Sequence, residues 1–484
     1  MVMPGEGLVL ALDQGSHATR AVLFDSAGNE LAHAHVPVGT RREGDDRVEQ
    51  DPEELVRSLR TALDDVCEGR DPTHILAAGL ATQRSTIVAW SRSNGRALTD
   101  AISWQDRRNA AWLARLAPVA GHVRSITGLP LSPHYGASKL RWCLDHVPAV
   151  QRAAAAGDLA FGPLSSYLLA RLAEERPCVV DPANASRTLL YDASTLQWSP
   201  ELLRLFDLES AHLPTCVPTR YSFGRVPCAG RRIPLTACTG DQSAAAFALG
   251  QPEADWALIN VGTGAFIQRL APAGAPLPDG ILRSVVCADA DGLLTSHEGT
   301  VNGAGSALDW LRERVALDVD RGLAALASLD PLPGDVPVFV NGVGGLGAPF
   351  WLADFPCEFV GGEDEAAQLA AVVESIAFLL CTNLERLQGS APLRRIRISG
   401  GLARNDYLCR CIAALSKLDV ERPAAVEATA RGVAYLAAGK PASWRAVPIE
   451  HTFNPVHSVA LESRYARWLN EMAARGARAD TPIP

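Results

Sequence analysis

Four short segments combine carboxylates, hydroxyls and glycines in patterns suited to chemistry on a phosphate. In Asp13-Gln14-Gly15-Ser16-His17-Ala18-Thr19-Arg20, a tight turn presents backbone N–H groups and hydroxyls to an anion. Arg20 is placed there to neutralise charge on a transferred group, and Asp13 to hold Mg2+ through water. An ordinary β-hairpin with a surface arginine has the same pattern. In Cys238-Thr239-Gly240-Asp241-Gln242-Ser243 an acid follows a glycine turn and precedes small residues that can start a helix, so Asp241 reads as a general base or as a helix N-cap. Gly262-Thr263-Gly264 is a second phosphate-type turn. Ser399-Gly400-Gly401-Leu402-Ala403-Arg404-Asn405 follows a predicted strand from Ile396 to Ile398 and lets a base or ribose approach the backbone closely.

The lysines narrow the mechanism. Only Lys139, Lys417 and Lys440 occur in the chain, and none stands in the Gly-Lys-Ser/Thr context of a Walker loop or the strand context of a protein-kinase lysine. A nucleotide bound here is held by another architecture.

The elements that must position these segments follow from local patterning. Apolar runs from Leu8 to Leu12, Arg20 to Phe24 and Leu31 to Val36, separated by turn residues, predict an antiparallel meander. Its third strand places Leu31, His33 and His35 on one face and Ala32, Ala34 and Val36 on the other. Asp51-Pro52-Glu53-Glu54 predicts a helix start, with Asp51 as N-cap and Glu54 closing a capping box; Leu55, Leu59, Leu63 and Val66 form its buried stripe. A buried strand from Ile75 to Ala81 delivers Thr82-Gln83-Arg84-Ser85 to the end of a sheet, where a ligand binds. From Trp256 to Val261 the plan restarts, with a return from Phe266 to Leu270, which suggests an internal duplication. The stretch from Leu461 to Met472 reads as a packed helix.

At 484 residues the chain exceeds what one core serves, so two domains are expected, 1–250 and 251–484, with a cleft around Asp241 and Gly262. A net charge of −9 disfavours nucleic acid and anionic membranes as partners, leaving a small molecule. The N-terminus has neither the basic segment of a signal peptide nor the length of a spanning helix, so a cytoplasmic location is expected. Eleven scattered cysteines without a Cys-x-x-Cys pair read as reduced, buried thiols.

Together the motifs resemble the FGGY carbohydrate kinases, on the actin-like ATPase (ribonuclease H-like) fold, with the strongest likeness to the glycerol kinase branch. The resemblance spans the chain. It is carried by Leu10-Ala11-Leu12-Asp13-Gln14-Gly15, Thr82-Gln83-Arg84, Trp104-Gln105-Asp106-Arg107-Arg108, Asn184-Ala185-Ser186-Arg187-Thr188, Gly240-Asp241-Gln242, Gly262-Thr263-Gly264 and Gly345-Leu346-Gly347-Ala348-Pro349-Phe350-Trp351, among others. It implies an α/β fold of two duplicated domains with the active site in the cleft between them, ATP and Mg2+ as cofactors, and a small polyol or sugar as acceptor. Asp241 would be the base, and Asp13 and Asp241 would lie at the metal. Gly15, Ser16, Arg20, Gly262 and Thr263 would lie at the ATP phosphates, with Gly400, Gly401 and Asn405 near adenosine. Arg84, Trp104, Gln242 and Phe266 would join Asp241 in the acceptor pocket. A homodimer or homotetramer is left open.

Several positions depart from the glycerol kinase pattern, and two of them bear on the acceptor pocket: Ser85 stands where a glutamate is expected and His134 where a tyrosine is. A serine is shorter than a carboxylate and can donate as well as accept, so the pocket is expected to be larger and less acidic. Glycerol remains the leading single acceptor. The alternatives are a longer polyol or ketose such as D-xylulose, or a non-catalytic sugar or ATP sensor on the same fold.

Overall fold

The computed structural model describes residues 7–44, 46–329, 335–388, 392–424 and 427–477. Its chain divides into two compact units. The first comprises Met1–Pro252, Ser284–Thr295 and Val426–Ala446; the second comprises Glu253–Arg283, Ser296–Ala425 and Val447–Pro484.

In the first unit the meander forms as its alternation dictates. Leu8–Gln14 pairs antiparallel with Ala18–Phe24, which pairs antiparallel with Glu30–Pro37. Ala34 on the last strand is buried and Leu31, His33 and His35 are exposed. Leu8–Gln14 then pairs parallel with Ile75–Thr82, and that strand parallel with Arg231–Gly240. Helix Pro52–Cys67 starts at Asp51, whose side chain accepts from the Glu53 N–H, and buries Leu55, Leu59, Leu63 and Val66. Each such side chain contributes roughly 1.5–3 kcal/mol by leaving water. Glu54 closes no capping box. Its carboxylate accepts instead from the Gly39 N–H at 3.0 Å, so tertiary contact outcompetes the local motif.

The units are not the contiguous halves that the sequence pattern suggests. Helix Ala428–Ala437, late in the chain, packs against Leu8–Gln14 and Ile75–Thr82 in the first unit. At Gly432 any Cβ would lie 1.8 Å from the Ala244 carbonyl oxygen, so only glycine permits this approach.

The second unit repeats the scheme. Trp256–Val261 pairs antiparallel with Ala265–Ala271 and parallel with Arg395–Ser399, which pairs parallel with Asp419–Pro423. The spatial order Gly292–Val301 (in this unit from Ser296 onward), Ala265–Ala271, Trp256–Val261, Arg395–Ser399, Asp419–Pro423 matches the order Glu30–Pro37, Ala18–Phe24, Leu8–Gln14, Ile75–Thr82, Arg231–Gly240. Duplication is therefore visible in the topology as well as in the turns.

Helix Glu365–Leu387 is apolar and long enough to cross a membrane, but 89% of its most hydrophobic window is buried inside the fold. It packs against helix Asp406–Ser416 as a core element. On it, buried Glu374 accepts from Arg464 at 2.6 and 2.8 Å and from the Tyr407 hydroxyl at 2.5 Å. The C-terminal helix Val459–Ala474 buries Leu461, Trp468 and Met472 beside that arginine. All eleven cysteines are free thiols.

Candidate active site

Parallel pairing in the first unit aligns Asp13 with Ala81, and Thr82 with Gly240. The segments after these strands therefore emerge at one end of the sheet, which is where parallel strands present ligand-binding turns. Asp13, Arg20, Arg84, Asp241 and Gln242 are linked there.

Asp13 is 5% exposed and its Oδ2 lies 3.7 Å from Arg20 Nη1. Burial raises its carboxyl to about 7; the negative charge of Asp241 pushes the same way, Arg20 opposes it, and Glu427 adds to it. Arg20 also pairs with Glu427 at 3.4 Å, a partner that nothing in the local sequence announces. Asp241 opens the short helix Asp241–Ala245, and its Oδ1 accepts from the Gln242 N–H at 2.7 Å. Arg84 lies nearly buried across this corner, with Nε 3.8 Å from Asp241 Oδ1 and a hydrogen bond to the Gln242 side chain.

The neighbouring wall holds the two divergent positions. Ser85 is buried and adopts a φ of 64°, the left-handed region that costs a non-glycine residue energy and persists only where surroundings enforce it. Trp104, 36% exposed, donates its indole N–H to Ser16 Oγ at 3.0 Å; that hydroxyl in turn donates to Gln83 at 3.0 Å. His134 Nδ1 lies 3.0 Å from the Trp104 carbonyl oxygen. A carbonyl only accepts, so the proton sits on Nδ1 and Nε2 keeps its lone pair. Although His134 retains solvent exposure, loss of hydration holds its pKa below the usual histidine value, against the pull of that hydrogen bond. Gly15 sits at the first turn, its N–H bonded to the Ala18 carbonyl at 3.0 Å.

In the second unit a cavity of about 410 Å³ is lined by Gly262, Thr263, Gly305, Leu308, Asp309, Arg312, Leu323, Ala324, Ala327, Gly401, Leu402, Arg404 and Asn405. Four of the residues expected at ATP, namely Gly262, Thr263, Gly401 and Asn405, meet here. The Gly262 and Thr263 carbonyls accept from the Gly305 and Ser306 N–H groups at 2.9 Å each, which docks the turn on the start of helix Gly305–Arg312. Gly400 is outside the lining; at φ 95° it turns back on Val261, whose carbonyl oxygen would stand 2.5 Å from any Cβ. Asn405 caps helix Asp406–Ser416 through the Leu408 N–H at 3.0 Å and donates to the Leu323 carbonyl at 3.1 Å, so its side chain fastens two walls together. Phe266 is half-buried on Ala265–Ala271.

Sequence reasoning missed most of this lining. Leu308, Leu323, Ala324 and Ala327 look like any helix core, and only their helices' arrangement opens a cavity beside them. Gly305, in Asn302-Gly303-Ala304-Gly305, was the available signal. Lys139, set aside as irrelevant to phosphate binding, proves to be buried beside Ser85 and His134.

The apolar walls and glycine turns suit a nucleoside with its phosphates. Among the described residues there is no cluster of three or more metal-ligating side chains. Magnesium on a nucleotide needs only one or two carboxylates besides phosphate and water. Asp13 and Asp241 fit that need, because a cation would offset both the burial that raises Asp13 and its repulsion by Asp241.

Comparison with known proteins gives a consistent picture. Residues 8–248 match the N-terminal domain of the FGGY family of carbohydrate kinases, and residues 257–439 match its C-terminal domain. A glycerol kinase from Ralstonia nicotianae is 34% identical, covering 98% of this chain and 99% of its own. One from Acidovorax ebreus is 36% identical over 89% of each. In fold, the chain is similar to a Plasmodium falciparum glycerol kinase crystallised with ADP, at a TM-score of 0.87 and 22% identity over 98% of this chain and 99% of that one. It is also similar to a xylulose kinase from Lactobacillus acidophilus, at a TM-score of 0.84 and 20% identity over 98% and 99%.

Proposed function

This chain belongs to the FGGY family of carbohydrate kinases, and from that premise we propose that Asp241 is the base through which it moves the terminal phosphoryl group of ATP to a hydroxyl of a polyol, with glycerol the leading acceptor. The enzyme is a phosphotransferase acting on an alcohol of a small polyol or sugar. The single observation that carries the assignment of residues is the linked corner of Asp13, Arg20, Arg84, Asp241 and Gln242 at one sheet end.

In this reading Arg84 and Gln242 hold acceptor hydroxyls, and Trp104, Ser85, His134 and Phe266 shape the pocket around its carbon chain. Asp241 accepts the proton of the attacking hydroxyl as its oxygen bonds to the γ-phosphorus and the bond to the bridging oxygen of ADP breaks. An aspartate is a weak base, so orientation of the hydroxyl contributes as much as removal of the proton. Arg20 and the backbone of Gly15, Ser16, Gly262 and Thr263 take phosphate oxygens, while Gly400, Gly401 and Asn405 frame the nucleoside. Asp13 and Asp241 would hold Mg2+ through water, and a bound cation would supply neutralising charge to the phosphates. Asp13 must then be ionised, which Arg20 favours and the cation completes. In this reading the first unit supplies the base and most residues of the acceptor pocket, and the second most residues of the nucleotide site. The reading places the enzyme in the cytoplasm, with its thiols reduced, as a homodimer or homotetramer.

A second reading, a longer polyol or a ketose, is favoured by the short buried side chain of Ser85 and by Nε2 of His134, which offers an acceptor to an added hydroxyl. The test is ADP release with Mg2+ and ATP across glycerol, erythritol, xylitol, D-xylulose and L-ribulose. Preference for glycerol supports the leading reading, preference for a five-carbon compound supports the second, and no acceptor-dependent release with any of them counts against both.

A further inference from the structure

Lys139 is 1% exposed on helix Gly136–His146, and its ammonium donates to three backbone carbonyls: Ser103 at 2.7 Å, His134 at 2.7 Å and Ser85 at 3.3 Å. These carbonyls belong to three separate segments of the first unit. One is the left-handed residue that follows strand Ile75–Thr82 and the next two positions, one immediately precedes Trp104, and one carries His134. An ammonium has three N–H donors and here each carbonyl takes one; a neutral amine or an apolar side chain would leave at least one carbonyl without its donor. Burial lowers the pKa of Lys139 to about 7; the carboxylate of Asp106 opposes this and the charge of Arg108 adds to it, while three carbonyls, which only accept, favour the ammonium.

We propose that Lys139 is a positioning residue for acceptor recognition, its ammonium tying Ser85, Trp104 and His134 into one wall of fixed geometry. The inference rests on the proposal above that this wall meets the acceptor. Lys139 touches no substrate in this scheme; it acts through the carbonyls of Ser85 and His134 and through that of Ser103, in the peptide bond to Trp104. The left-handed backbone of Ser85 is one of the conformations it secures, since the carbonyl direction there is set by the bond to Nζ. The hydrogen bond from His134 to the Trp104 carbonyl closes the same loop from the side-chain side.

The experiment compares the full-length wild type with Lys139→Met and Lys139→Arg, measuring kcat and KM for ATP and for two acceptors, glycerol and xylitol. Lys139→Met is expected to raise acceptor KM about 10-fold or more, to leave the KM for ATP within about 2-fold, and to change the ratio of kcat/KM for the two acceptors. Lys139→Arg keeps the charge on a longer, planar head and is expected to fall between. A merely structural lysine would lower the amount of active enzyme and leave KM values and the acceptor ratio where they were, which overturns the proposal. If Lys139→Met does not fold, unchanged acceptor KM and ratio in Lys139→Arg overturn it equally. A wild type without acceptor-dependent turnover overturns the underlying reading, and the proposal with it, whereas an active wild type with unmoved variants overturns the proposal alone.

Discussion

Arg84 engages two partners from one guanidinium, the carboxylate of Asp241 and the amide of Gln242. A lysine offers a point charge without the planar fork, so Arg84→Lys is not conservative here. Hydrogen bonds to charged groups contribute about 1.5–3 kcal/mol, which corresponds to roughly a 10-fold to 100-fold loss of kcat/KM for the acceptor. Steady-state kinetics with the acceptor varied at saturating ATP checks this, and an unchanged value would remove Arg84 from the pocket. Asp13, Asp241 and the Gly262 turn were legible in the sequence because each is a compact motif whose meaning is local. The strained backbone of Ser85, the Glu427 partner of Arg20 and the burial of Lys139 were not, because each arises from segments far apart in the chain. A helical lysine reads by default as solvated, and nothing around Lys139 in sequence signals the three carbonyls above it.

Helix Ala428–Ala437 shows what a single element must satisfy to serve a sheet built from the other end of the chain. Its Gly432 faces the carbonyl oxygen of Ala244, a residue of the Asp241–Ala245 helix, within a space that excludes a methyl group. Gly432→Ala therefore forces the helix outward and is expected to destabilise the protein by roughly 1–3 kcal/mol through overpacking, despite alanine's higher helix propensity. A lower urea midpoint with an unchanged slope would show it; stabilisation would mean that the helix moves freely. Its membership of the first unit was not legible in the sequence, since local periodicity carries no record of which sheet an element covers. The same holds at the N-terminal helix, where Asp51 caps as the motif predicts while Glu54 is drawn to Gly39.

Across the whole molecule, the repeated strand order was foreshadowed by two apolar hairpins ending in glycine turns, half a chain apart. The cavity walls in the second unit were not foreshadowed, because apolar residues on helices encode burial and not whether the buried face leaves room. Global stability should also depend on pH through His297, which is 8% exposed; its Nε2 makes no hydrogen bond, and burial, helped by Arg283 and Arg269, lowers its pKa to about 4. The unfolded chain, with an ordinary histidine value of 6.5, binds that proton first. Between those values the unfolded state holds more protons, so stability rises with pH across the window and is lost as pH falls through it. Wild type should lose more stability than His297→Leu between about pH 6.5 and 4.5, by an amount on the order of 1–2 kcal/mol in paired urea titrations; parallel loss in both proteins would contradict this. The central claim, phosphoryl transfer to an alcohol with Asp241 as base, is tested most directly by acceptor-dependent ADP release in wild type and Asp241→Asn, with ATP binding measured in both. The account predicts a roughly 10²-fold to 10⁴-fold loss of turnover with nucleotide affinity largely retained; near-normal turnover in Asp241→Asn would contradict it.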